Sequence, residues 1–171
     1  MVSAVSSDWG VVRAYVVRED GGVSLDLPPT GRLPQKETST LQVLVVDDHQ
    51  SFRRALTAAL RMVKGIDVAG EAAGGIEGAE RAILLDPDLV VMDLSMPDLD
   101  GIESMRRIHK AKPELPVVIL TAHADPGVER EARDAGAAGF VAKGTGLDDL
   151  VAVLRDAVEA AGHLRPSPTA A

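Results

Sequence analysis

Residues 41–162 predict a doubly wound α/β domain, a five-stranded parallel sheet with helices on both faces. Three observations carry this expectation. Five short aliphatic runs recur from Leu41 onward, and each is followed by a stretch with apolar residues at helical spacing. The runs are also continuous rather than alternating, as parallel strands buried on both faces must be.

The expected strands are 41–46, 66–69, 89–92, 117–120 and 139–142. After the first, Phe52, Ala55, Leu56, Ala59, Leu60 and Val63 mark a helix face, with Arg53, Arg54 and Arg61 turned outward. Lys64-Gly65 supplies a basic last turn and a C-terminal glycine. A second helix over 76–85 ends at Asp86-Pro87-Asp88, and a third from about 101 to 112 stops at Pro113. The fourth, over 128–135, has a thin apolar face and is expected to be the least firmly held. The last starts with Thr145-x-x-Asp148, a capping-box pattern, and carries Leu147, Leu150, Val151, Leu154 and Val158 on one face. Five such units leave few right-handed topologies. The flavodoxin-like strand order 2-1-3-4-5 sets the ends of the first and third strands side by side at the switch point, where open α/β sheets bind ligands.

Composition limits what such a domain can do. Of 171 residues 46% are hydrophobic but only 2% aromatic, so the core must be built from Val, Leu, Ile and Ala. Cysteine is absent, which removes disulfides, thiolate metal sites and Cys nucleophiles, and fits a reducing cytoplasm. No apolar run reaches membrane-spanning length, and the first ten residues lack the basic start and apolar centre of a signal peptide. The net charge is −8; with four basic and five acidic groups in residues 1–40, residues 41–171 carry −7. So acidic a domain is repelled by nucleic-acid phosphates, and direct DNA binding is not expected.

Residues 1–40 read as an extension and linker. The stretches 11–17 and 23–27 flank Arg18-Glu19-Asp20-Gly21-Gly22 as a hairpin would, and 28–40 is polar and contains proline. A lone hairpin is marginal in water, so this segment must dock, pair with a partner or stay mobile. Alternatively, the natural start lies downstream of it. Residues 163–171 read as a tail.

The chemistry lies at the strand ends. Asp47-Asp48 closes the first strand and Asp93 the third, so three carboxylates converge on one crevice. Packed like charges cost free energy unless a cation lies among them, and with only His49 nearby a hard cation such as Mg²⁺ is the natural one. Taken singly, Asp47 and Asp48 read as caps of the first helix and Asp93 as the start of a turn. Three at adjacent strand ends outweigh that reading. Thr121 closes the fourth strand and Lys143 follows the fifth; a hydroxyl and an ammonium each suit a phosphate oxygen. Only the second strand contributes nothing. Such a rim fits phosphoryl transfer to a carboxylate, in which positioning and charge neutralisation supply most of the catalysis.

These residues resemble the CheY-like receiver domain of two-component response regulators. The resemblance runs from Leu41 to about Gly162 and rests on Val43-Leu44-Val45-Val46-Asp47-Asp48-His49, Val90-Val91-Met92-Asp93-Leu94-Ser95-Met96-Pro97, Asp100-Gly101, Leu120-Thr121-Ala122 and Gly139-Phe140-Val141-Ala142-Lys143. The Asp-Asp-His start followed by Phe52-Arg53-Arg54-Ala55-Leu56 is most similar to the NarL/FixJ subfamily. The resemblance implies that Asp93 accepts a phosphoryl group from a sensor histidine kinase, a phosphotransfer protein or a small phosphodonor. It implies that Asp48, Asp93 and the Ser95 carbonyl ligate Mg²⁺, with Asp47 acting through water. Lys143 would pair with the phosphoryl group, Thr121 would turn inward to it, and Phe140 would be the aromatic switch; by itself Phe140 reads equally as core. The sequence departs from the family at Gly144, where proline is frequent, which leaves the reach of Lys143 less determined. His123, two residues past Thr121, reads as a solvent-edge residue.

Only 28 residues follow Lys143, too few for the helix-turn-helix domain that usually follows such receivers. The expectation is a cytoplasmic stand-alone receiver, not itself an enzyme beyond assisting its own phosphorylation and dephosphorylation, that switches protein–protein contacts. A homodimer through the fourth and fifth helices is what the resemblance allows. The alternative is the receiver part of a DNA-binding regulator whose output domain is missing. A Mg²⁺-dependent phosphatase resembling the haloacid dehalogenase group ranks lower, because Ser95 stands where those enzymes carry a second acid. A phosphorylation-blind receiver ranks lower still.

Overall fold

The computed structural model describes residues 16–17, 23–24, 40–122 and 125–162. The chain divides into two units, Met1–Lys36 and Glu37–Ala171. In the first, β1 (Val16–Val17) and β2 (Val23–Ser24) pair antiparallel, Val16 opposite Ser24 and Val17 opposite Val23. Both fall inside the stretches expected to form a hairpin; the linker expected over 28–40, apart from Thr40, and the tail over 163–171 lie outside the described residues.

The second unit alternates β3 (Leu41–Val46), α1 (Gln50–Arg61), β4 (Ile66–Ala72), α2 (Gly75–Leu85), β5 (Leu89–Asp93), α3 (Gly101–Ala111), β6 (Val117–Thr121), α4 (Pro126–Asp134), β7 (Gly139–Ala142) and α5 (Leu147–Ala160). The five strands are parallel in the order β4-β3-β5-β6-β7, which is 2-1-3-4-5 counted within the domain. β4 is longer than the aliphatic run suggests, because it continues past a register shift beside Val43 and Leu44 to pair Glu71 with Val45.

Strand pleating sends neighbours to opposite faces, and both faces are apolar. Val43, Val45, Val91, Val118 and Leu120 pack with Leu56 and Leu60 of α1 and Leu154 of α5. Leu44, Val46, Val90, Met92 and Ile119 pack with Ala79 of α2 and Ile102, Met105 and Ile108 of α3. With aromatics scarce, each fully buried aliphatic side chain contributes about 1.5–3 kcal/mol.

Two helix starts differ from the sequence reading. α4 begins at Pro126, because Asp125 accepts from the Gly127 N–H at 2.7 Å and proline is preorganised for the first helical position. Its only buried residue is Ala132, in keeping with the thin face expected. The capping box at Thr145-x-x-Asp148 does not form. α5 starts at Leu147 with Gly146 as its N-cap and no side-chain cap, since Thr145 still belongs to the turn in which its N–H donates to the Ala142 carbonyl. Among the described residues no helix is long and apolar enough to cross a membrane.

Candidate functional site

The sheet delivers its charged residues to one rim. Val46 lies opposite Met92, so the next residues, Asp47 and Asp93, emerge beside each other at the strand ends. Both are buried, with 2% and 4% exposure. Asp47 Oδ1 accepts from the His49 N–H at 2.8 Å, and its Oδ2 lies 2.7 Å from Lys143 Nζ. Asp93 Oδ2 lies 2.8 Å from the same ammonium, and its Oδ1 accepts a long 3.4 Å bond from the Ser95 N–H. His49, not either aspartate, is the N-cap residue of α1, and its own side chain makes no capping bond.

Lys143 reaches the rim because the β6–β7 ladder runs one residue past the strand: its N–H donates to the Thr121 carbonyl at 2.6 Å. Thr121 itself is buried at the end of β6. Gly144 takes φ +101°, a conformation closed to proline, so the loop leaves β7 by a route of its own and the lysine still spans both aspartates. Its ammonium also stands 4.7 Å from the centroid of the Phe52 ring. Burial pulls the Lys143 pKa down, but hydrogen bonds and charge from Asp47 and Asp93 outweigh it and hold the group above its ordinary value.

Three carboxylates against one ammonium leave the rim with an excess of two negative charges. Asp48 makes the deficit specific. Among the described residues its Oδ1 is buried yet has no hydrogen-bond partner, and the nearest cationic candidate, the exposed His49 ring, is 3.7 Å away. A carboxylate oxygen shut from water with no donor is costly unless a cation meets it. One ligand atom each from Asp47, Asp48 and His49 lies within 4.8 Å of the others. Both Asp47 oxygens are already engaged, so the unpartnered Asp48 oxygen is the one best fitted to a metal. The oxygen-rich set suits a small hard cation.

Two residues of the rim escaped the sequence reading. Arg53, expected to face outward, is folded inward: NH1 donates to the Asp47 carbonyl at 2.5 Å, and Nε pairs with Glu71 Oε2 at 3.2 Å. Its partner Glu71 sits on β4, so the second strand does contribute, by anchoring the arginine that holds the Asp47 backbone. Helical spacing could not find this, because position 53 lies on the edge of the apolar face, where a long side chain can turn either way. Ser95 is exposed, and Phe140 is half-buried against the core on the α2–α3 side of the sheet. His123 lies outside the described residues.

The model of the response regulator receiver domain matches residues 43–155. The chain belongs to the response regulator receiver family. It is 34% identical over 126 residues to the response regulator GacA of Pseudomonas aeruginosa, covering 74% of this chain and 59% of GacA. To the response regulator UvrY of Escherichia coli it is 34% identical over 115 residues, 67% of this chain and 53% of UvrY. The chain thus spans little more than half the length of these curated relatives. Among solved structures, the receiver domain of the putative response regulator NarL from Mycobacterium tuberculosis superposes with a TM-score of 0.68 at 29% identity, covering 71% of this chain and 98% of that one. The CheY-like fold and the two-component family expected from the residues are those found.

Proposed function

We propose that this receiver accepts a phosphoryl group on Asp93 and uses it to switch contacts with a protein partner. The observation that carries the reading is the single ammonium of Lys143 held between Asp47 Oδ2 and Asp93 Oδ2. It keeps the Asp93 carboxylate oriented while leaving its Oδ1, among the described residues, bound by the long Ser95 contact alone. That lightly held oxygen is the nucleophile. As it bonds to phosphorus, the bond from phosphorus to the donor's imidazole nitrogen breaks, and the electron pair leaves with the imidazole.

Asp48, Asp93 and the Ser95 carbonyl would hold Mg²⁺, with Asp47 acting through water. When bound, the cation neutralises phosphoryl oxygens as charge shifts among them. Lys143 exchanges part of its aspartate pairing for the incoming phosphoryl group, and the Thr121 hydroxyl donates to it. Thr121 and Phe140 form the switch: repacking of the threonine at the end of β6 changes the room beside Phe140 on β7. The same charges assist hydrolysis of the acyl phosphate.

The donor is a sensor histidine kinase or phosphotransfer protein of the cytoplasm, and the unit that responds is 41–162, flanked by 1–40 and 163–171. A second reading has one observation in its favour. Because the chain spans 53–59% of the regulators it matches, it would be the receiver part of a longer DNA-binding regulator. A reading frame continuing past Ala171 decides between the two, and the Asp93 chemistry is common to both.

Intact mass after incubation with Mg²⁺ and acetyl phosphate tests the chemistry. A base-labile phosphoryl adduct that disappears with chelator and in Asp93→Asn supports it. No adduct from acetyl phosphate or from a kinase-driven donor would overturn it.

A further inference from the structure

α2 begins without a cap of its own. Gly74 occupies the N-cap position with no side chain to offer, and the first N–H groups of a helix need acceptors. The acceptor comes from farther along the chain. Asp98 Oδ1 accepts from the Gly75 N–H and Oδ2 from the Ile76 N–H, each at 3.0 Å. Two glycines shape the seat: a Cβ on Gly74 would lie 2.7 Å from Asp98 Oδ2, and one on Gly75 would strike the Leu99 carbonyl. From α3, the Ser104 hydroxyl donates to the Gly75 carbonyl.

Asp98 belongs to the loop that leaves Asp93. That loop is closed at its neck by the Gly101 N–H donating to the Leu94 carbonyl at 2.8 Å. Ser95 lies on the arc between the neck and the Asp98 anchor, with its N–H on Asp93 Oδ1 at 3.4 Å. The arc is therefore held at both ends, by its own neck and by α2. The bonds from Ile76 and Gly75, opposed by desolvation, keep the Asp98 carboxyl below its ordinary value, so both oxygens remain acceptors at neutral pH.

We propose that Asp98 is a positioning residue for the Asp93 site, pinning the loop to α2 so that the Ser95 carbonyl is set for a divalent cation. This rests on the reading above in which that carbonyl is a metal ligand.

The test uses the full chain, unphosphorylated, with Mg²⁺ binding measured by calorimetry and phosphorylation by acetyl phosphate followed against Mg²⁺ concentration. Asp98→Ala is expected to weaken Mg²⁺ binding about tenfold, as loss of a group orienting a metal ligand does. The phosphorylation rate at saturating Mg²⁺ should stay within about a factor of two. Gly74→Ala, which crowds the carboxylate, should weaken binding in the same direction, and the double variant should be no weaker than Asp98→Ala alone. Asp98→Asn, keeping one acceptor oxygen, should fall between. A merely structural role would lower the melting temperature and leave the affinity of the folded variants unchanged. Equal affinity in wild type and Asp98→Ala overturns the inference alone; no Mg²⁺ uptake by the wild type overturns it together with the metal reading.

Discussion

Lys143 and Asp93, 50 residues apart in the chain, meet at 2.8 Å, and the same ammonium reaches Asp47 at 2.7 Å. The two aspartates cannot relax into water, because the strand ends bury them, and the lysine side chain keeps only partial exposure. One cation serving two buried carboxylates is an arrangement that stays short of positive charge. It costs stability that an apolar rim would keep, and it leaves a place ready for an anionic group accompanied by a second cation.

Asp48→Asn is expected to change stability in opposite directions with and without metal. Without metal, removing one like charge beside Asp47 should stabilise the fold by roughly 1 kcal/mol, the scale for partly exposed charges. With Mg²⁺ at a hundredfold excess over its dissociation constant, the wild type should gain about 2.7 kcal/mol. The variant should gain much less. Thermal melts with chelator and with Mg²⁺ give both numbers, and a variant that gains as much as the wild type would remove Asp48 from the metal site.

Gly144→Pro should damage the protein although proline is frequent there in relatives by resemblance. The observed φ of +101° cannot be reached by the proline ring, so the loop must rebuild, at roughly 1–3 kcal/mol. Lys143 would shift with it and phosphorylation would slow. In Gly144→Ala the added Cβ meets nothing within 4 Å, so only backbone strain of about 1–2 kcal/mol is expected. Urea unfolding of the two variants side by side checks the order; a proline variant as stable as the wild type would contradict this loop geometry.

The sheet order and most element positions were legible because they depend on pattern alone. Runs such as Val43-Leu44-Val45-Val46 and Val90-Val91-Met92 can be satisfied only by burial on both faces. The rim residues were legible because a parallel sheet delivers every strand end to one edge. What escaped depends on contacts between distant segments. Asp98 caps a helix 22 residues upstream, and Arg53 turns toward Glu71 of another strand; neither leaves a trace in local spacing. Thr145 failed as a cap for a related reason: the Gly144 turn, set by where β7 ends, delays the helix until Gly146 can cap it.

Arg53→Ala should cost about 1–3 kcal/mol, since it removes charge-assisted hydrogen bonds to the Asp47 carbonyl and to Glu71. The Glu71 share is small, because that carboxylate is one-third exposed. Glu71→Gln should therefore cost no more than about 1 kcal/mol. Arg53→Lys keeps the charge but not the planar fork that spans two acceptors, and should recover only part of the loss. Chemical denaturation of the three variants measures this. An Arg53→Ala no less stable than Glu71→Gln would mean that the carbonyl contact contributes nothing.

Stability should fall on the acid side with a limb that Asp98 and Glu77 share. Ile76 and Gly75 N–H groups lower the Asp98 pKa from its ordinary 3.8. Glu77 is lowered from 4.5, chiefly by the Ala73 N–H at 2.8 Å and then by Arg81, with desolvation opposing. Because both folded-state values are depressed, each group's contribution is complete above its unfolded pKa and is lost as pH falls through the folded one. The window thus opens as pH falls past the ordinary values of 4.5 and 3.8 and deepens below them. Asp98→Asn should lower stability at neutral pH and flatten part of that limb, and Glu77→Gln another part. Unfolding free energy measured from pH 7 to 3, with carboxyl carbons followed by NMR, separates the two. An Asp98 that titrates at or above 3.8 would show that its bonds to α2 do not hold in solution.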